Sequence, residues 1–173
     1  IAGSCSFSLV YFALAYVASA PATPGEHETW RTFSAGAEIA PGAVYVLCHS
    51  SSDSAVKDEC DEESSAINFN GDDGWCLAKG TDGSPTYVDC VGDFNGDENW
   101  AACGTSSATK DHTLVRKSSG TAGNGGDWET SRGTDADDCE WVVYSKDEFG
   151  YLGSHTMAST SSDPPPSPPP PSP

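Results

Sequence analysis

The chain has 173 residues, with 26 acidic against 8 basic side chains and a formal net charge of −18. A surface this acidic repels phosphate backbones, which argues against nucleic acid as a direct partner. Gly, Ser, Thr, Asp and Asn are abundant, and the apolar runs are short and separated by Gly/Asp/Ser clusters. No helical apolar stripe emerges, so about 160 residues are predicted to form one all-β domain, a β-sandwich.

The first apolar run spans residues 7–17 and is followed by Ala18-Ser19-Ala20. It mimics a signal-peptide core and cleavage site, but no initiator Met or basic segment precedes it, and it is too short to span a bilayer. Its aromatic and β-branched content predicts a buried strand. A polar loop covers 21–28, and 29–33 is a short candidate strand. Pro41-Gly42 fits the centre of a type II turn. Residues 44–48 form the clearest strand pattern of the chain. A long acidic connection follows over 50–66, with one helical turn predicted in 56–63.

The stretch 66–78 reads as strand, acidic turn, strand. Ile67 and Phe69 alternate with polar neighbours, Asn70-Gly71-Asp72-Asp73-Gly74 supplies turn residues, and Trp75 and Leu77 resume the apolar pattern. A near copy, Asp93-Phe94-Asn95-Gly96-Asp97-Glu98-Asn99-Trp100, predicts a second, similar corner. Between them, Thr81-Asp82-Gly83-Ser84 predicts a hairpin turn joining strands 75–79 and 85–91. Further strands are predicted at 112–117 and 139–144, and 151–156 closes the domain 1–156. A Ser/Thr-rich spacer occupies 157–163. The final residues, 164–173, are mostly proline and predict polyproline II, because proline fixes φ and lacks a backbone donor.

Seven cysteines imply an oxidising compartment. No C-x-x-C occurs and no histidine stands at zinc-like spacing, so disulfides are favoured over a metal cluster. Cys48 and Cys60 bracket part of the acidic connection and are paired on that ground. Cys90 and Cys103 flank the second corner and are paired likewise, which would stabilise by roughly 3 kcal/mol on the entropic account. Cys5, Cys76 and Cys139 remain, and the odd count leaves one thiol free or bonded outside this chain.

Asn68-Phe69-Asn70-Gly71-Asp72-Asp73 resembles the FNGDD turn of bacterial and algal lamin tail domains. Residues 108–117 (ATKDHTLVRK), Asp127-Trp128, Glu140-Trp141 and Leu152-Gly153-Ser154-His155-Thr156 follow the same family pattern, and residues 39–46 (IAPGAVYV) resemble its strand entry. The resemblance covers about residues 1–156, with several motifs in the family's order. It implies an immunoglobulin-like β-sandwich without catalytic residues of its own. Extracellular members of that family stand beside secreted nucleases and other surface domains. Members usually begin with two further strands before a stretch similar to residues 1–9. The resemblance therefore implies that the opening strands lie upstream or come from a neighbouring chain.

The tail Ser167-Pro168-Pro169-Pro170-Pro171-Ser172-Pro173 is similar to hydroxyproline-rich segments of green-algal and plant cell-wall glycoproteins. That likeness implies hydroxylation and O-glycosylation over Pro164, Pro165, Pro166, Ser167, Pro168, Pro169, Pro170, Pro171 and Ser172. The alternative is a bare spacer or a partner ligand. There is no N-x-[ST] sequon.

Calcium is the only cofactor the pattern suggests. Asp93, Asn95, Asp97 and Asn99 alternate as hard oxygen ligands would around one cation, and Asn68, Asn70, Asp72 and Asp73 offer a similar set. Neither matches an EF-hand, and such clusters also form ordinary turns that cap their own backbone. Asp111-His112 and Ser154-His155 lie near many serines without a nucleophile elbow. Trp30, Trp75, Trp100, Trp128 and Trp141 are divided between core and a sugar-stacking face.

The resulting expectation is a non-enzymatic extracellular structural subunit with no membrane span. Its partners would be copies of itself and glycans. Phe7, Leu9 and Tyr11 would meet a neighbouring subunit in a head-to-tail fibril or surface layer completed by strand exchange. The alternatives are an accessory module of a larger secreted enzyme, such as a nuclease, and a calcium-dependent adhesion module.

Overall fold

A computed structural model describes residues 6–96 and 98–158. Cys5, Asp97 and the proline-rich tail with its candidate glycosylation sites lie outside the described residues. The fold is all-β and of sandwich type, with antiparallel sheets dominating. Its strands are β1 (Phe7–Ser8), β2 (Phe12–Tyr16), β3 (Thr29–Thr32), β4 (Glu38–Ile39), β5 (Leu47–Cys48), β6 (Glu62–Glu63), β7 (Trp75–Thr81), β8 (Ser84–Val91), β9 (His112–Arg116) and β10 (Trp141–Ser145). Two short helices, α1 (Ser54–Lys57) and α2 (Trp128–Arg132), and a 3-10 turn at Phe149–Tyr151 complete it.

The central sheet has the order β3-β2-β7-β8, all antiparallel. Strands β7 and β8 are joined by the two residues Asp82 and Gly83, the tight hairpin that an Asp-Gly pair between alternating runs predicts. The strands β9 and β10 pair with each other, and β1 pairs with β4. Among the described strands, only β5 and β6 run parallel.

Alternation along β2 divides the central sheet into two unequal faces. Ala13, Ala15 and Ala78 are fully buried, and Ala15 and Ala78 join Val17, Cys76, Cys90 and Phe94 in one core cluster, closed by Trp30 and Tyr87. Small residues here let the covering loops approach closely; a Cβ on Gly74 would stand 2.0 Å from the Asp93 carbonyl oxygen. A bulge between Leu77 and Ala78 disturbs the β7–β8 register. The Gly125 N–H meets the Val88 carbonyl at 3.0 Å, so the outer edge of β8 is covered by a loop.

A second cluster holds Trp100, Ala102, Ala108, Trp128 and Trp141 under β9 and β10. Trp128 meets Trp141 edge-on, with centroids 6.0 Å apart, and the Trp141 indole N–H donates to Ser131 Oγ at 2.9 Å. The Arg116 guanidinium lies 4.5 Å over the Trp141 ring. It also bonds Asp89 of β8 and Glu140, the latter at 2.7 Å, which ties the β9–β10 pair to the central sheet.

Three disulfides close loops: Cys48–Cys60, Cys76–Cys90 and Cys103–Cys139. The expected Cys90–Cys103 pairing is thus replaced. Cys76 and Cys90 face each other directly across β7 and β8, with Cα atoms 4.1 Å apart, whereas Cys103 has Cys139 at 5.2 Å. Three internal disulfides fit folding in an oxidising compartment. No helix among the described residues is long and apolar enough to cross a membrane.

Several expected strands are shorter or absent. The opening apolar run breaks at a turn, where the Phe12 N–H donates to the Leu9 carbonyl at 2.9 Å, leaving β1 and β2 on either side. Residues 44–46 carry strand-forming side chains but lie outside any strand, and the Val46 carbonyl accepts from the Asp61 and Glu62 N–H groups at 2.9 and 3.2 Å. The Val46 N–H donates to Asp61 Oδ2 at 2.6 Å and the Tyr45 hydroxyl to Glu62 Oε2 at 3.0 Å. Residues 67–69 run as loop into the first acidic corner.

Candidate functional site

The other face of the central sheet carries Phe12, Leu14 and Tyr16 on β2 opposite Lys79, Leu77 and Trp75 on β7. Their apolar members are only half-buried, although an inner face of a sandwich is normally filled by the opposing sheet. Here β9 and β10 stand as a two-stranded sheet, with no third strand on either side among the described residues. Between the two sheets a cleft of about 490 Å³ remains, lined by Leu14, Trp75 and Val91 on one side and Leu114 and Trp141 on the other. Leu47, Ile67, Phe69 and Phe149 form its rim, and a second hollow continues from that rim past His112, Lys146 and Asp147.

The rim explains the fate of the first acidic corner. Ile67 and Phe69 turn toward the cleft instead of entering a ladder, and Phe69 stays 56% exposed. Asp73 holds the corner in place: Oδ1 accepts from the Ser19 N–H at 2.6 Å and Oδ2 from the Asn70 N–H at 3.2 Å. In the second corner, Asp93 Oδ1 accepts from the Asn95 N–H at 2.8 Å. The Asp73 and Asp93 carboxylates therefore cap backbone. Asp72 Oδ1 and Asn99 Oδ1 are buried without a hydrogen-bond partner. Among the described residues, no group of three His, Cys, Asp or Glu is arranged to hold a metal ion.

The candidate assembly residues separate. Phe7 and Tyr11 are 55% and 69% exposed, and Val10 between them is 70% exposed. Leu9 is buried, with its N–H bonded to the Ala37 carbonyl at 2.9 Å, because the turn folds it under the tip. The tip abuts the far end of the central sheet, where the Gly80 N–H reaches the Tyr11 carbonyl.

Charged side chains around the cleft are mostly structural. Glu62 is half-buried, which pushes its pKa up, but bonds from the Ser34 N–H, Arg31 and the Tyr45 hydroxyl outweigh this and hold it below the usual carboxylate range. Hydrogen bonds from Ser131 and then Arg116 hold Glu140 low as well. Asp111 pairs with Lys146 at 3.1 Å and His112 Nδ1 lies 2.8 Å from the Lys110 carbonyl; among the described residues neither side chain hydrogen-bonds a serine hydroxyl.

A line of polar groups escapes the sequence. His27 Nδ1 lies 3.0 Å from the Tyr87 hydroxyl and Nε2 lies 2.9 Å from Asp82 Oδ1. Burial pushes the Tyr87 phenol above its ordinary value, which makes it a poor nucleophile. These residues lie 55 and 60 positions apart, and no local motif marks them. Trp30, Trp100, Trp128 and Trp141 pack in or against the two cores, which leaves Trp75 as the tryptophan of the open face. No family model, curated protein or solved structure matches this chain.

Proposed function

We propose that the protein is a non-enzymatic extracellular structural module, an immunoglobulin-like sandwich of the lamin-tail type, that assembles with copies of itself. The observation that carries this reading is the half-open apolar face of the central sheet above the cleft. Apolar area of this kind lowers free energy by roughly 25 cal/mol for each Å² it removes from water, and a monomer leaves that gain unused. A strand supplied by a neighbour would pair with β9 or β10 and cover the face at once. The disulfides support a secreted setting, and the Ser/Pro tail of the sequence supports glycosylation and a fibril or surface layer. Electron microscopy of native material tests the reading. Filaments or sheets with a regular repeat of about one domain are expected, and dispersed single particles overturn it.

A second reading, a calcium-dependent adhesion module, draws on the two unpartnered oxygens Asp72 Oδ1 and Asn99 Oδ1 in the acidic corners. It requires a melting temperature that rises when chelator is replaced by millimolar calcium, and an unchanged value removes it.

A further inference from the structure

Apart from Val142, Tyr151 and Met157, the exposed large apolar side chains of the described residues fall into two groups. Phe7, Val10 and Tyr11 form one group, while Phe69 and Phe149 stand at the rim of the cleft. The two groups lie at opposite ends of β2. The tip precedes Phe12, which pairs with Lys79, whereas Tyr16 pairs with Trp75 beside Phe69. Four residues of strand, about 13 Å, separate Phe12 from Tyr16. One end of the molecule therefore projects apolar side chains and the other end receives them.

Charge follows the same polarity. Six of the eight basic side chains engage carboxylates or carbonyls within the chain. Lys79 and Lys110 have no such partner among the described residues. Lys110 packs its stem behind Gly71, whereas Lys79 is exposed at the tip, directly opposite Phe12. At the mouth of the cleft, Asp147 and Glu148 make no ion pair among the described residues. The projecting end thus carries the free cation Lys79, with the unpaired Glu38 opposite Ser8, and the receiving end carries free carboxylates. The complementarity matters because two copies at −18 each repel one another.

We infer that the cleft is the docking site for the Phe7–Val10–Tyr11 tip of a second copy, with Lys79 of that copy facing Asp147 and Glu148. This rests on the self-assembly reading above and specifies its contact. Donor and acceptor are different surfaces, so the contact is heterologous and each bound copy leaves a free tip and a free cleft. Growth is then head-to-tail and open-ended.

Two variants of the full chain test it by sedimentation at physiological ionic strength. Tyr11→Asp combined with Val10→Asp removes the tip, and Phe69→Asp removes the rim; all three positions are more than half exposed, so folding is preserved and is checked by circular dichroism. Wild type is expected to form a ladder of species. Each variant alone is expected to be monomeric, and a mixture of the two is expected to double in mass and stop, since only one productive contact can form. Lys79→Glu should weaken the wild-type ladder, and Glu148→Lys in the partner should restore it. A Phe69→Asp variant that still self-associates overturns the tip-to-cleft contact in favour of tip-to-tip pairing while the assembly reading stands. A mixture that stays monomeric beneath a wild-type ladder overturns it as well. A wild type that is monomeric up to its solubility limit overturns both.

Discussion

Tyr16 lies flat on Trp75, with ring centroids 4.1 Å apart and planes 9° from parallel. The two residues oppose each other across β2 and β7 on the half-open face, and Phe69 leans on the same indole at 5.4 Å. Stacked cross-strand aromatics contribute about 0.5–1.5 kcal/mol beyond their area. Tyr16→Ala should therefore lower unfolding free energy by about 1–2 kcal/mol in urea titrations. Trp75 fluorescence should also shift to the red, because the indole loses its cover.

Acid should weaken the fold through Glu62. Its pKa is lower in the folded protein than the ordinary value of 4.5. A depressed carboxylate contributes stability that is present above its unfolded pKa and is lost as pH falls through the folded pKa. The urea midpoint should hold steady at neutral pH and decline below about pH 4.5, where the unfolded chain begins to bind the proton first. Glu62→Gln should start lower and flatten part of that decline.

The disulfides should differ in worth. Loop closure favours the longest span, so replacing both Cys103 and Cys139 by serine, 36 residues apart, should cost about 4 kcal/mol. Removing Cys76–Cys90, 14 apart, should cost about 3 kcal/mol on the same account, and less if the β7–β8 hairpin persists in the denatured chain. Paired denaturant titrations of the two double variants rank them.

Gly74→Ala is expected to be the harshest of small changes, because its Cβ would meet the Asp93 carbonyl at 2.0 Å in the floor between the two corners. Overpacking of this kind costs about 1–3 kcal/mol or more. Gly83→Ala, with nothing within 4 Å of the added atom, serves as control and should melt within a few degrees of wild type. Thermal scans of the two decide it.

The all-β class was legible because turn residues punctuate short apolar runs, and the β7–β8 hairpin was legible because Asp82-Gly83 is a local device. What escaped was long-range. The partner of Cys90 depends on strand register, which puts Cys76 opposite it, while sequence distance favoured Cys103. Residues 44–46 have strand propensity, but the Asp61 carboxylate and the Asp61 and Glu62 backbone N–H groups take the polar groups of Val46. The half-open face could not be read from β2 alone. Alternation says that Leu14 and Tyr16 share a side, but whether anything covers that side is decided by residues more than thirty positions away.

The disulfides also set how the molecule yields to tension. Loops 48–60, 76–90 and 103–139 are each closed at their base. Force applied at the two ends cannot enter them, so only the chain outside the loops can lengthen, by at most about 3.6 Å per residue. A row of such modules linked through their chain ends would extend under load by a fixed length and then stiffen, behaving as a strap with a built-in stop.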